Sequence, residues 1–356
     1  YRAPGLTQIS QDRATETTLV LGYKGPAGSA PQDATLEVPP GAGASTMKRR
    51  TFLTAAAEAG LAGGALAGLG ALGGPIRRAF AETSPGSSGA YDLVAVKNGE
   101  PDKLFDTAME SLGGIRRFVR PNQTVVVKPN IAWDLEPERA ANTNPLLVRR
   151  IVEQCRAAGA KTVYVFDNTC DNWRSSYRSS GIEQAVRDAG GTLVPAESER
   201  YYHPVQVGGR RLAEAKEHEL ILESDCFINV PVLKSHGSAN LTVSMKNLMG
   251  IIWDRRYWHR NDLHQCIADF AAYRRPDLNV VDAYRVLAHN GPRGVSLRDV
   301  TEMRTLLVSG DMVTADAAAA RLLGLDAQQV DYIRLAAAQG AGRSDLESLA
   351  IKRIVL

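Results

Sequence analysis

The chain has 356 residues, 44% of them hydrophobic and 23% charged, with a formal net charge of +3. Eight of its 42 Lys and Arg and five of its 39 Asp and Glu precede residue 82, so residues 82–356 carry 34 of each. That balance argues against a nucleic-acid surface or a polybasic membrane patch. The four cysteines, Cys155, Cys170, Cys226 and Cys266, show no C-x-x-C spacing, which argues against a four-iron ferredoxin cluster or a zinc ribbon.

In chain order, residues 1–46 are rich in Gly, Pro, Ala and Thr without sustained periodicity. They read as a disordered or non-native upstream segment, with translation expected to start at Met47. Met47-Lys48-Arg49-Arg50-Thr51-Phe52-Leu53 then places a Phe-Leu pair just after two adjacent arginines, and a weakly apolar Ala/Gly/Leu stretch follows over 55–74. Ala79-Phe80-Ala81 supplies a small-x-small cleavage site. Residues 47–81 therefore read as a twin-arginine signal peptide. It implies a periplasmic or extracellular location, the twin-arginine translocase as a partner during export, and no stable membrane span after cleavage. The route carries folded proteins, often around a cofactor. Residues 82–90 read as a linker.

Beyond the linker the pattern alternates. Strands are predicted at 91–96, 124–127, 162–166 and 192–195, and helices at 102–118, 144–158 and 182–189. Asn142-Thr143-Asn144-Pro145 opens the second helix with capping side chains ahead of a first-turn proline. The more polar 201–222 reads as an insertion or hairpin. A long apolar run at 226–233, a helix at 262–275, strands at 278–281 and 304–308, and helices at 314–323 and 328–338 follow. Continuous β-branched runs between helices indicate an α/β fold, with a mostly parallel sheet or sheets flanked by helices. The domain covers 91–340, divisible into lobes 91–200 and 220–340, and 341–356 reads as a tail.

Four predicted strands end on polar residues that a core does not require: Lys128-Pro129-Asn130, Asp167-Asn168-Thr169, Lys234-Ser235-His236 and Asp282. In open α/β sheets ligands bind beyond the carboxyl ends of the strands, so parallel neighbours would aim all four groups into one crevice. Lys246 and Asn247 add a cation and an amide. Lys128, Lys234 and Lys246, with no acidic neighbours in sequence, suit a carboxylate or phosphate. Asn130, Asn168, Asn247 and Asp282 complete the expected ligand-binding set. His236 and His264 either share a metal with a carboxylate such as Asp282 or relay protons. Gly291-Pro292-Arg293-Gly294 is a loop with a guanidinium at its tip.

These motifs resemble domain-of-unknown-function family 362. The resemblance rests on Lys128-Pro129-Asn130, Leu233-Lys234-Ser235-His236, the segments 245–250 and 309–317, Val281-Asp282-Ala283 and the 291–294 loop, and it covers nearly all of 91–325. Many members carry a four-iron ferredoxin module whose cysteines this chain lacks. A more distant similarity is to the lactate racemase family with its nickel-pincer nucleotide: His236 and Lys246 stand ten residues apart, and Asn261-Asp262-Leu263-His264 is similar to a later helix opening. That resemblance implies Lys246 as a cofactor tether, His264 as a metal ligand and His236 as an acid–base group, which makes His236 and Lys246 the catalytic candidates. Val243-Ser244-Met245 replaces that family's glycine-rich run, and Asn168-Thr169-Cys170 stands near where a second catalytic histidine would fall. Two functions follow: an enzyme acting by acid–base chemistry on a small anion, or a non-catalytic extracytoplasmic module that captures a ligand or metal.

Overall fold

The computed structural model describes residues 91–356; the expectations for 1–46, 47–81 and 82–90 lie outside the described residues. The first strand, β1 (Leu93–Lys97), leads into α1 (Pro101–Ser111), which is shorter than the pattern suggested. Gly113 and Gly114 take φ of +87° and +85°, a conformation that ends a helix readily only at glycine. After β2 (Thr124–Pro129) comes α2 (Pro145–Ala157), where Asn144 accepts a hydrogen bond from the Leu146 N–H at 3.0 Å, as its capping position predicts. The next elements are β3 (Thr162–Val165), α3 (Trp173–Ser179), α4 (Ile182–Asp188) and β4 (Thr192–Leu193). The polar insertion is a two-stranded antiparallel hairpin, β5 (Tyr202–Gln206) and β6 (Glu214–His218), followed by α5 (Glu219–Glu223).

The apolar run at 226–233 is two strands. β7 (Cys226–Val230) stops at Pro231, which has no N–H for a ladder, and β8 (Val232–His236) resumes beyond it. β9 (Asn240–Thr242), α6 (Ser244–Asn247), α7 (Arg255–Arg260) and α8 (Leu263–Tyr273) follow. The chain ends with β10 (Leu278–Leu287), β11 (Val300–Ser309), α9 (Met312–Leu322), α10 (Asp331–Ala338) and β12 (Ile351–Val355). The segment read as a tail thus supplies an edge strand, parallel to β1.

One sheet runs through both halves in the order β12-β1-β11-β10-β7-β2-β3-β4, with β8 paired to β10 and β9 to β8. It is mostly parallel; the antiparallel pairings are those of β11 with β1 and β10 and of β9 with β8. Buried residues alternate across it. Val125 and Val127 face a core built on α1, α2 and α4, while Val126 faces one built on α8, α9 and α10. This accounts for runs such as Thr124-Val125-Val126-Val127, apolar at successive positions because both faces are covered. No helix among the described residues is long and apolar enough to cross a membrane.

The break at Pro231 creates the crevice. β7 pairs with β2 as far as Val230 opposite Pro129, whereas β8 continues along β10 and leaves β2 behind. The space that opens beyond β2 and β3 is roofed by the 244–260 segment.

Candidate functional site

A cavity of about 270 Å³ occupies that crevice. Seven of the nine residues expected from sequence line it: Lys128, Asn130, Asn168, Lys234, His236, Lys246 and Asn247. Asp167, Cys170, Arg255 and His259 line it as well. Three lysines and Arg255 therefore face one carboxylate, Asp167.

Two of the lysines are built into a polar network. Lys128 Nζ donates to Asn247 O and Asn247 Oδ1, both at 2.7 Å, and sits 3.0 Å from Asp167 Oδ1, close enough for an ion pair though outside hydrogen-bonding geometry. Asn247 Oδ1 also accepts from Asn130 Nδ2 at 3.0 Å, and Asn130 Oδ1 accepts from Lys234 Nζ at 3.1 Å. Lys234 Nζ donates further to Ala141 O at 2.6 Å. These oxygen and nitrogen positions in the two asparagines follow from the network itself. Asp167 Oδ2 accepts from the Ile131 N–H at 2.6 Å, which ties the end of β3 to the end of β2. Burial lowers the Lys128 pKa against the opposing pull of Asp167, and burial brings Lys234 down to about 7. A Cβ at Gly250 would run into Asp167 Oδ1 and Lys128 Nζ, so only glycine lets the 248–251 turn close over this pair.

Lys246 is different. It is 9% exposed and has no hydrogen-bond partner among the described residues. Burial takes its pKa down to about 8. The turn that carries it is fixed from beneath by Asp316 of α9, whose oxygens accept from the Ser244 N–H at 2.7 Å and the Met245 N–H at 3.0 Å. Burial raises Asp316 to about 7. Arg255 donates to Asn168 O at 2.6 Å and to Thr169 O, holding the loop after β3 against the cavity. Asn168 contributes its own ties, from its N–H to Gly250 O and from Nδ2 to Ile252 O, each 3.0 Å.

His236 sits at the rim with its ring 6.3 Å from that of His259. Its Nδ1 accepts from the Ser238 and Ala239 N–H groups at 3.1 and 3.2 Å, so the neutral ring carries its proton on Nε2. Burial, followed by the charge of Lys246, depresses its pKa to about 3. At any ordinary pH it is a fixed hydrogen-bond donor.

Two expected residues stand elsewhere. Asp282 lies in the middle of β10, not at a strand end, because that strand runs on to Leu287. Its Oδ2 accepts from the Asn144 N–H at 2.7 Å and its Oδ1 from the Tyr284 N–H at 3.0 Å, so it anchors the start of α2. Burial raises it to about 6. His264 does not line the cavity; its Nε2 lies 3.1 Å from Ser238 O and its ring stacks on Tyr332. Of the three residues that the resemblance to the nickel-dependent enzymes implies, Lys246 and His236 line the cavity and His264 does not, and Asp282, the carboxylate expected to share a metal with the two histidines, is engaged away from it. Arg293 of the 291–294 loop is also outside. It packs over the Trp133 ring at 5.2 Å and pairs with Asp171 at 3.3 Å, while Pro292 closes one wall.

Sequence reading missed Arg255, Cys170 and Asp316 as contributors. Asp316 carried a signal, being a lone carboxylate in the alanine-rich face of α9. Cys170 carried only its place beside Asn168-Thr169 after a strand end, and Arg255 carried none, since a single Arg in a basic helix is an ordinary surface residue.

Fold and cavity together define a mostly parallel α/β protein with a cation-rich crevice beyond its strand ends. The profile described as "Domain of unknown function (DUF362)" matches residues 125–321, and the chain belongs to that family. A thylakoid-associated protein of Synechocystis sp. is 27% identical over 228 residues, which cover 62% of this chain and 69% of that protein. Among solved structures, the lactate racemase apoprotein from Thermoanaerobacterium thermosaccharolyticum is similar, with a TM-score of 0.44 at 10% identity, covering 67% of this chain and 57% of that one. A protein from Thermotoga maritima gives 0.43 at 11% identity, covering 64% and 60%. The chain thus spans under two thirds of either structural relative.

Proposed function

We propose that this protein is exported by the signal at 47–81 and binds a small carboxylate or phosphate compound in the lysine-lined cavity. The observation that carries the reading is the charge imbalance: Lys128, Lys234, Lys246 and Arg255 against Asp167 alone. A buried ammonium without a counter-ion costs several kcal/mol, and a bound anion removes much of that cost. Lys246, with no fixed acceptor among the described residues, is the cation most available to a ligand. His236 adds a neutral N–H at the rim and Asn168 an amide at the wall. At about 270 Å³ the space is below the roughly 300–1,000 Å³ of most small-molecule pockets, which favours a compound of a few carbons. The group placed to move a proton is Lys246, since His236 Nδ1 is already occupied by two backbone N–H groups.

Isothermal titration calorimetry with inorganic phosphate, acetate and lactate tests this. The expected outcome is saturable binding of at least one of them, abolished by Lys246→Met in a variant with unchanged circular dichroism. An absence of heat with all three at and below neutral pH sinks the reading.

A further inference from the structure

The three cavity lysines are chemically unequal. Lys128 has two hydrogen-bond acceptors and an ion pair with Asp167, and Lys234 has two acceptors. Arg255 is committed to the carbonyls of Asn168 and Thr169. Lys246 alone among these cations has neither a carboxylate nor a hydrogen-bond acceptor among the described residues, yet it is nine-tenths buried and lines the cavity. Anchoring an anion does not require this. An amine surrounded by other cations in a desolvated pocket is instead an amine kept near its neutral, nucleophilic form. The cations that surround it would bind the acidic end of a ligand while leaving its neighbouring atoms against Lys246 Nζ.

We propose that Lys246 forms an imine with the carbonyl carbon of a small 2-oxo acid, whose carboxylate is held by the neighbouring lysines. The proposal rests on the anion-binding reading and names the substrate class of the same cavity. The amine nitrogen attacks the carbonyl carbon and the C=O electron pair moves onto oxygen. The two amine protons leave with that oxygen as water, giving a C=N bond with no oxidant or reductant. His236 is the donor nearest in character to what the departing oxygen needs, with its Nε2–H fixed by the bonds to Nδ1. Burial brings Lys246 to a pKa of about 8, so a useful fraction is neutral close to neutral pH.

Borohydride trapping tests the proposal. The full chain is incubated with pyruvate, reduced with sodium borohydride, digested and mapped by mass spectrometry. The expected result is a reduced pyruvate adduct on Lys246, suppressed by excess lactate and lost in Lys246→Arg, which keeps the charge but cannot form the imine. Phosphate and lactate binding are measured in parallel on both proteins. Pyruvate that competes with lactate but leaves Lys246 unmodified overturns the imine and leaves the anion site standing. Adducts confined to exposed lysines, equal in the wild type and Lys246→Arg, also overturn it. Neither binding nor adduct overturns both readings.

Discussion

Two cavities flank the 249–260 segment, and they differ in what their charges do. The larger, about 600 Å³, lies between the β5–β6 hairpin and α7 and is lined by Leu212, Trp253, Tyr257 and Trp258 with Glu199, Glu214, Asp254 and Lys216. Its lysine is half-exposed and already paired with Glu199. Exposed charges of this kind are satisfied by water and by one another, and they are worth little. The smaller cavity holds its cations at 1% to 9% exposure for the three lysines, with one carboxylate among them. Volume would choose the first cavity as the site. Uncompensated buried charge chooses the second, because a fold retains such charge at a loss of stability only where something else is gained.

The comparison breaks most directly inside the smaller cavity, where Lys128 and Lys246 make opposite predictions. Lys128→Met leaves Asp167 a buried carboxylate without a cation and takes the donor from Asn247. Breaking a buried pair from one side costs about 3–5 kcal/mol, and denaturant unfolding should show that loss. Lys246→Met removes a buried amine with no hydrogen-bond partner among the described residues, so the same measurement should show a gain of about 1–3 kcal/mol at neutral pH, together with loss of anion binding. The sign follows from the depressed pKa. The unfolded chain takes up its proton near the ordinary 10.5, the folded chain only near about 8, so stability present above 10.5 is lost across that window as pH falls. The gain from Lys246→Met should therefore be full below pH 8 and vanish above 10.5. A destabilised Lys246→Met protein would make Lys246 an ordinary structural lysine.

Much of this was legible in the chain. The alternation of β-branched runs and capped helices gave the α/β sheet, and the polar residues after Val127, Phe166 and Leu233 pointed at the crevice now seen. Asp282 misled because the apolar pattern weakens at Ala283-Tyr284-Arg285, where β10 has an irregular register and carries on. A strand that continues past a kink looks, in one dimension, like a strand that ends. His264 misled because its position at the opening of α8 says nothing about which neighbour its ring meets. The support from Asp316 depends on α9 passing beneath α6, a packing relation between segments about 70 residues apart in sequence. Only three-dimensional structure supplies it. Asp316→Asn keeps one oxygen for one of the two amides and should weaken anion binding several-fold, with about 1 kcal/mol of stability lost.

The effect that separates the two cavities most cleanly is the pH dependence of binding. An anion beside Lys234 and Lys246 favours their charged forms, so it raises pKa values that burial has brought to about 7 and about 8. Binding then draws in protons, and affinity falls as pH rises through these values, by at most about tenfold per pH unit for each lysine that must charge. Calorimetry in buffers of different ionisation enthalpy measures that uptake directly. The outer cavity offers a control: Glu199→Gln breaks the exposed Lys216 pair and should change neither the affinity nor its pH profile. If Glu199→Gln alters the profile while Lys246→Met leaves it intact, the anion binds in the larger cavity, and buried charge was the wrong guide to the site.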